Sequence, residues 1–277
     1  MKRRSQLLWT SIFLNGFGEG LHQVVFSNLH TRRQNSLKGI ISVCRAMSAF
    51  DNPNNVGRNE DKGATLESYC QPLTPWREMI DVSIAKSRKI RGGNYVQISS
   101  FDPQTMEPRC RTLVFRGFQK LSDEESIDKS CTMKMITDAR SQKVSELQSP
   151  YDVAEMVWWF AKSSEQYRIR GKVQFVGEGN NQARFLSKAR KDQWGNLSDP
   201  AREQFFWNNP GDDFSGEPTV PAGGKDSSGK ILPPPEEFLL MLLHPFKVDY
   251  LRLKDNYHQE DFLDTIDGTW KQKRVNP

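Results

Sequence analysis

The sequence has few of the residues that bind metals or form disulfide bonds. It contains four cysteines and four histidines in 277 residues. No two cysteines show C-x-x-C spacing and no two histidines show H-x-x-x-H spacing, so neither a disulfide framework nor a metal site is indicated. The G-x-S-x-G motif is also missing, which leaves a Ser-His-Asp hydrolase without support.

Long apolar runs and a strong charge on the C-terminal part are missing as well. Only 36% of the residues are hydrophobic, and the apolar run 7–14 is far shorter than the ~20 residues that cross a bilayer. The net charge of +5 arises in residues 1–49, which hold seven Lys or Arg and one acid, so residues 50–277 carry −1. We therefore expect neither a membrane nor a nucleic-acid partner.

The first 49 residues have the composition of an organellar transit peptide. They contain six serines and seven basic residues but a single acid, Glu19. We interpret them as a segment removed on import into the chloroplast or, alternatively, the mitochondrion. If translation starts at Met47 instead, the protein stays in the cytosol. Residues 50–74 are polar and turn-rich, which predicts a linker before one folded domain over residues 75–277.

The remaining sequence alternates between strand-like runs and a few helical segments. Thr74 and Pro75 suit an N-cap and a first helical turn, which predicts a helix there. Strand patterns occupy residues 94–101, 108–118, 131–137, 153–160, 166–175, 238–243 and 248–253, and a last hairpin turns at 267–268. Helical patterns follow at 181–192 and 198–207, and residues 208–235 predict a long loop. The pattern indicates a mainly β (α+β) protein, a small barrel with helices outside.

Three clusters of cationic and hydroxyl side chains lie on or beside these strands. They read RTLVFR (111–116), TDARSQK (137–143) and SEQYRIRGK (164–172). In the first cluster, Arg111 and Arg116 differ in strand parity, so one ligand can meet both only at a strand end, a bulge or a subunit interface. In the third cluster the polar residues share one parity and the apolar residues the other, as in a strand with one buried face. Such clusters suit a phosphorylated ligand.

The middle cluster predicts an anion site. A strand that ends at Thr137 and a helix that begins near Ser141 would leave backbone N–H groups free to bind a phosphate. Ser141 and Lys143 would add a hydroxyl and a positive charge. The alternative is an ordinary helix cap with solvated charges.

Several motifs together resemble a known family. RTLVFRGF, TDARSQKVSEL, WWFAKSSEQYRIRGKVQFV and the terminal DGTWKQKRVNP occur in the order found in pyridoxamine 5′-phosphate oxidase-like proteins, which are FMN-binding split barrels. The resemblance extends from about residue 75 to residue 277. It implies a split β-barrel, FMN as cofactor, and a homodimer with FMN at the interface.

The resemblance also implies the site residues. Positions that match FMN contacts in the family are Arg111, Thr112, Leu113, Arg116, Ile136, Thr137 and Lys143, with Gln166 contributed by the other subunit. Gln142 stands where the family has a phosphate-binding arginine, and Arg140 is the nearest replacement. Together with Ser141, these residues form the predicted cofactor site.

The late part of the sequence departs from the family. The R-x-H-x-R motif of true pyridoxamine 5′-phosphate oxidases is replaced by residues 256–260 (NYHQE), in which only His258 remains, and Leu251 stands where the family has a tryptophan. The loss of two arginines removes charge-assisted bonds to an anion. Arg202 is the nearest match to a substrate-phosphate arginine. We expect Arg202 and Arg116 to hold a substrate anion and His258 to orient the substrate.

The resemblance implies an FMN-dependent oxidoreductase. In such an enzyme the flavin takes a hydride from the C–N bond of an amine or a similar donor, and oxygen reoxidises it. A small-molecule substrate is expected, either phosphorylated or unphosphorylated, and the lost arginines leave oxidation of a vitamin B6 compound open. The alternatives are a flavin reductase-like enzyme that uses NAD(P)H and a non-catalytic flavin-binding protein.

Overall fold

The computed structural model describes residues 75–122, 125, 130–148, 150–179 and 183–277. The predicted transit segment and linker fall on residues 1–74 and lie outside the described residues. Within the described ranges, none of the helices has the length and apolar character needed to span a membrane.

Eight strands and four α-helices make up the described domain. The helices are α1 (Pro75–Ser87), α2 (Gln142–Glu146), α3 (Arg184–Gly195) and α4 (Asp199–Glu203). The strands are β1 (Tyr95–Asp102), β2 (Glu107–Val114), β3 (Met133–Asp138), β4 (Val153–Phe160), β5 (Glu165–Val176), β6 (Phe238–Arg252), β7 (Tyr257–Leu263) and β8 (Trp270–Val275). Short 3₁₀ helices follow at Gln204–Phe206 and Ala222–Gly224. The predicted mainly β, α+β class is confirmed.

The strands form one antiparallel sheet that closes into a barrel. Its order is β2-β1-β4-β5-β6-β7-β8, and β3 pairs with the first part of β6. The chain beyond β2 then pairs with β3, because Arg116 N donates to Lys134 O and Lys134 N donates to Gly117 O, both at 2.8 Å. Gly117 has φ of +105°, a conformation that glycine adopts without strain. Six strands thus enclose the core, and β7 and β8 extend from the second half of β6.

The prediction of two strands separated by His244 and Pro245 was wrong, because β6 is continuous from Phe238 to Arg252. Arg170 pairs with Lys247 and Gly171 pairs with Pro245, so β6 carries one extra residue, a β-bulge, at this point. A bulge tolerates proline because it interrupts the ladder of hydrogen bonds. A Cβ on Gly171 would lie 2.7 Å from His244 O, so this close approach requires glycine.

The barrel interior is filled by the apolar parity of its strands. Alternation along β5 is confirmed, since Tyr167, Ile169 and Val173 are buried while Arg170 is exposed. Trp158 is fully buried and stacks on Phe160 at 4.8 Å between ring centroids.

Helix α1 covers one end of the barrel through a buried polar network. Ser83 Oγ donates to Glu165 Oε2 at 2.5 Å, and Tyr250 OH donates to Glu165 Oε1 at 3.0 Å. The hydroxyl donors outweigh burial and lower the pKa of Glu165. These bonds join α1 to β5 and β6.

Candidate functional site

The residues of the middle cluster lie together at the end of β3. Lys143 Nζ donates to Thr137 Oγ1 at 3.0 Å and to Ser141 Oγ at 2.9 Å. Ser141 Oγ in turn donates to the carbonyl of Asp138 at 2.7 Å. An ammonium group has three donors, and the contacts of Lys143 among the described residues use two, so one remains for a ligand. The geometry favours a small anion bound beside Lys143.

Helix α2 contributes side chains rather than a helix terminus to this site. It begins after Ser141 and is only five residues long, so the expected dipole at its N-terminus is small. Its residues Lys143 and Glu146 are three apart and therefore share one face. Leu147, just beyond the helix, is buried and fixes α2 against the core. The predicted strand-turn-helix is present, but its cation, not its dipole, defines the site.

Arg111 adds a second positive charge to the site. It lies opposite Ile98 in the β1–β2 pair, on the face of the sheet that carries the buried residues. Its guanidinium donates to Ser100 Oγ and to the carboxylate of Glu146. Burial lowers the pKa of Lys143, and the nearby Arg111 lowers it further, although Asp138 and Glu146 oppose this effect. An anion bound beside Lys143 would favour the charged form of this lysine.

The neighbours of Arg111 on β2 face different directions. Thr112 lies opposite Gln97 and is exposed, whereas Leu113 lies opposite Val96 and packs partly buried against the core. One ligand cannot therefore meet all three side chains on a regular strand, although it can meet the backbone between them. The predicted contacts of Thr112 and Leu113 stay predictions.

Arg116 is separate from the Lys143 group. It follows β2 and precedes Gly117, where the chain pairs with β3. Burial lowers its pKa, and its Nε is buried without a hydrogen-bond partner within the ranges that the structure describes. A half-buried guanidinium with an unsatisfied donor is suited to an anionic ligand.

Arg140 does not face Lys143. Its guanidinium pairs with Asp138 at 2.7 Å and donates to the carbonyl of Trp207 at 2.9 Å. Longer contacts reach Asn209 Oδ1 at 3.4 Å and Phe205 O at 3.5 Å. These contacts attach residues 205–209 to the turn after β3. The role of Arg140 as the replacement for the phosphate-binding arginine stays a prediction.

Ile136 also points away from the Lys143 group. It lies opposite Leu240 in the β3–β6 pair and packs, partly buried, against the apolar clusters of α3 and Trp194. Its neighbour Thr137 has the opposite parity and is buried toward the barrel interior. A flavin contact by Ile136 stays a prediction.

Gln166 and His258 lie on the outer face of the sheet, in one row across four strands. Trp159 pairs with Gln166, Gln166 with Leu251, and Leu251 with His258. Trp159 is 44% exposed, unlike its buried neighbour Trp158. This row therefore presents a partly apolar surface away from the barrel interior.

Both ring nitrogens of His258 already have partners. Nε2 lies 2.6 Å from Asp249 Oδ1, and Nδ1 lies 2.8 Å from the carbonyl of Asn276. Asp249 also pairs with Arg168 at 2.6 Å. Burial opposes the ionisation of Asp249, but the hydrogen bonds from Arg168 and His258 outweigh it and lower its pKa. His258 could contact a substrate only after one of these bonds opens.

Arg202 is buried in a network of its own. Its guanidinium donates to Gly223 O at 2.7 Å, to the carbonyl of Leu197 and to the carboxylate of Asp199. The side chain is only 3% exposed. These contacts fasten the 3₁₀ segment Ala222–Gly224 to α4, which favours a structural role. The prediction that Arg202 holds a substrate anion stays untested.

Sequence reasoning missed Glu146 and Ser100, which hold Arg111. Glu146 is 3% exposed, and Ser100 Oγ donates to its Oε2 at 2.5 Å. A glutamate three residues after Lys143, on the same helical face, was the available signal. No group of three or more potential metal ligands occurs in the described part of the chain. The unused donors of Lys143 and Arg111 fit a phosphate, and the hydroxyls of Thr137 and Ser141 hold the Lys143 ammonium in place.

Comparisons with known proteins identify the family. A family model described as pyridoxamine 5′-phosphate oxidase, FMN-binding domain, matches residues 73–177. The Arabidopsis thaliana protein pyridoxine/pyridoxamine 5′-phosphate oxidase 2 is 31% identical over 209 residues, which are 74% of this chain and 98% of that protein.

Solved structures share the fold. A pyridoxamine 5′-phosphate oxidase-related, FMN-binding protein from Nostoc punctiforme PCC 73102 aligns with a TM-score of 0.62 and 29% identity, over 75% of this chain and 100% of that chain. PhzG from Burkholderia lata 383 aligns with a TM-score of 0.55 and 14% identity, over 79% and 100% of the two chains, and shows the fold alone. The resemblance inferred from the sequence motifs is confirmed: the chain belongs to the pyridoxamine 5′-phosphate oxidase family of FMN-binding proteins, and FMN is its cofactor.

Proposed function

We propose that the protein is an FMN-dependent oxidoreductase that binds the cofactor phosphate between Lys143 and Arg111. The observation that carries this placement is the cation pair itself, in which burial lowers the pKa of Lys143 and each side chain keeps donors for a ligand. The hydroxyls of Thr137 and Ser141 accept hydrogen bonds from Lys143 and hold its ammonium group in place. A phosphate dianion would satisfy both cations with charge-assisted hydrogen bonds.

For the reaction, we propose oxidation of a C–N bond in a small, phosphorylated amine, with oxygen as acceptor. The relative from Arabidopsis is named as a pyridoxine/pyridoxamine 5′-phosphate oxidase. The match covers 98% of that protein and 74% of this chain. Bound FMN supplies the two-electron redox chemistry. The protein residues have to orient the substrate and hold its anion, and Arg116 has an unused buried donor for this task.

We further propose that a homodimer completes the site. Gln166 lies on the outer face, whereas Arg111 faces the barrel interior, so one flavin cannot meet both from a single subunit without crossing the sheet. The row that contains Trp159, Gln166 and Leu251 would then contact the second copy. Sedimentation of the purified protein tests this part, and a monomer at micromolar concentration would contradict it.

A non-catalytic flavin-binding protein is the second candidate. It is favoured by the buried contacts of Arg202 and by Asn256 and Glu260, which replace the two arginines of the late motif. A flavin reductase-like enzyme that uses NAD(P)H has no specific structural observation in its favour.

One experiment separates these functions. The FMN-loaded protein is mixed anaerobically with pyridoxamine 5′-phosphate, pyridoxine 5′-phosphate or NAD(P)H, and bleaching of the flavin band is followed. Bleaching by a phosphorylated B6 compound and recovery on admission of air are expected. Bleaching by NAD(P)H alone would support the reductase, and no bleaching with any donor would support the binding protein.

Localisation to the chloroplast or the mitochondrion is also a proposal. It rests on the composition of residues 1–49 alone. A fusion of this segment to a fluorescent protein would locate it, and a diffuse cytosolic signal would contradict the proposal.

A further inference from the structure

Glu146 is a buried carboxylate at the edge of the phosphate site. Its Oε2 accepts hydrogen bonds from Arg111 Nη2 and from Ser100 Oγ. Its Oε1 is buried and has no hydrogen-bond partner among the residues described. Buried polar atoms are nearly always bonded, so a half-satisfied carboxylate calls for an explanation beyond packing.

Ser100 and Glu146 fix the orientation of the Arg111 guanidinium. Arg111 Nη1 donates to Ser100 Oγ while Nη2 donates to Glu146, and Ser100 bonds Glu146 directly. A weaker contact reaches the carbonyl of Arg109 at 3.5 Å. A guanidinium has five N–H donors, and three contacts use three of them, so two remain for a ligand.

Helix α2 carries both a positive and a negative side chain of the site. Lys143 and Glu146 are one helical turn apart, so a single short element carries both the cation that meets the hydroxyls and the anion that holds Arg111. A side chain held before binding loses less conformational entropy when the ligand arrives. The carboxylate therefore prepares Arg111 for the anion.

We propose that Glu146 is a positioning residue of the FMN site, whose buried carboxylate holds Arg111 in the orientation that receives the cofactor phosphate. This inference rests on the proposed placement of the phosphate between Lys143 and Arg111. It assigns to Glu146 a selective contribution to the terminal phosphate, which distinguishes FMN from riboflavin, and none to the isoalloxazine ring.

Removal of the Glu146 charge would change FMN affinity through two opposing effects. The negative charge of Glu146 repels a phosphate, so its removal would tighten FMN binding if repulsion dominated. The same removal frees Arg111 to rotate, which would weaken FMN binding. Because the Glu146 charge is in direct contact with Arg111, its field is largely compensated, and loss of orientation dominates in this account.

The test is a titration of the full chain, stripped of flavin, with FMN and with riboflavin. Glu146→Ala is expected to weaken FMN binding about tenfold, which is the size of one lost charge-assisted bond. Glu146→Gln is expected to weaken FMN binding as well. The riboflavin affinity of both variants should stay within about twofold of wild type. The matched control is Glu155→Gln, because Glu155 pairs with Arg170 on the exposed face of the sheet.

The outcomes are distinct. FMN binding that is unchanged or tighter in Glu146→Gln overturns the inference, and so does an equal loss for FMN and riboflavin, which would indicate general damage to the fold. Lys143→Ala is measured in parallel. If Lys143→Ala keeps the wild-type preference for FMN, the proposed phosphate placement fails; if it loses that preference while both Glu146 variants keep it, only the role of Glu146 is overturned.

Discussion

Lys143 Nζ donates a hydrogen bond to Thr137 Oγ1 at 3.0 Å, and this bond joins the end of β3 to helix α2. The chain between them turns through Arg140 and Ser141, so the bond closes a short loop around the predicted anion site. The positive charge of Arg111 acts on Lys143, because it contributes to lowering the pKa of that lysine.

The first prediction concerns Lys143. Lys143→Ala removes a charged donor. We expect this change to weaken FMN binding by roughly 1.5–3 kcal/mol, while riboflavin binding changes little. Flavin fluorescence titration measures both. Lys188→Ala, which removes a lysine whose side chain is 74% exposed, is the control. Equal affinities of Lys143→Ala and wild type for FMN would remove Lys143 from the site.

The second prediction separates Arg140 from the phosphate. Arg140→Ala breaks the contacts to Asp138 and Trp207, which we expect to expose residues 205–221 to protease while FMN affinity stays within about threefold. Limited proteolysis with mass mapping and FMN titration test the two halves. A loss of FMN affinity as large as in Lys143→Ala would return Arg140 to the cofactor site.

The third prediction concerns Arg202. Arg202→Ala leaves the carbonyls of Leu197 and Gly223 without their donor, which should lower the free energy of unfolding by on the order of 3 kcal/mol. Urea unfolding measures the loss, and Arg170→Ala, at an exposed ion pair, is the comparison. If Arg202→Ala unfolds like wild type but loses turnover of a phosphorylated substrate, Arg202 holds the substrate after all.

The fourth prediction is a pH dependence of stability at Asp261. Burial raises the pKa of Asp261 to about 6, against the hydrogen bonds from the Gln259 side chain and the Trp76 backbone N–H. The folded state therefore binds this proton more tightly than the unfolded state. The stability that it contributes is complete below about pH 4 and is lost as the pH rises through about 6.

Asp261→Asn keeps the shape of the side chain and removes the charge. We expect it to be more stable than wild type at pH 8 by on the order of 1–3 kcal/mol, with the difference shrinking toward pH 4. Urea unfolding between these values measures it, with Asp212→Asn on the exposed loop as control. A difference that does not vary with pH would contradict the assignment.

Much of the barrel follows from sequence patterns, because its strands have one buried and one wet face. The parity of β5 predicts its burial directly, whereas the apolar run of β4 gives no sign that Trp159 is 44% exposed. The continuity of β6 does not follow, since Pro245 reads as a break unless the bulge opposite Gly171 is known. That bulge is a property of the pairing between two strands, and neither strand encodes it alone.

Some contacts in the candidate site could be predicted from the sequence, and others could not. Thr137, Ser141 and Lys143 are close in sequence, so their contact could be predicted from the local motif. Arg140 and Arg202 have charge patterns that suit an anion, but their partners come from distant backbone carbonyls that sequence patterns do not reveal. Glu146 was missed because a buried acid beside a phosphate site contradicts simple charge matching.

The most direct test of the account is a crystal structure of the protein with bound FMN. We predict that the phosphate lies within hydrogen-bonding distance of Lys143 Nζ and of the Arg111 guanidinium, with Glu146 still bonded to Arg111. A phosphate held elsewhere, with Lys143 bonded only to Thr137 and Ser141, would contradict the central claim.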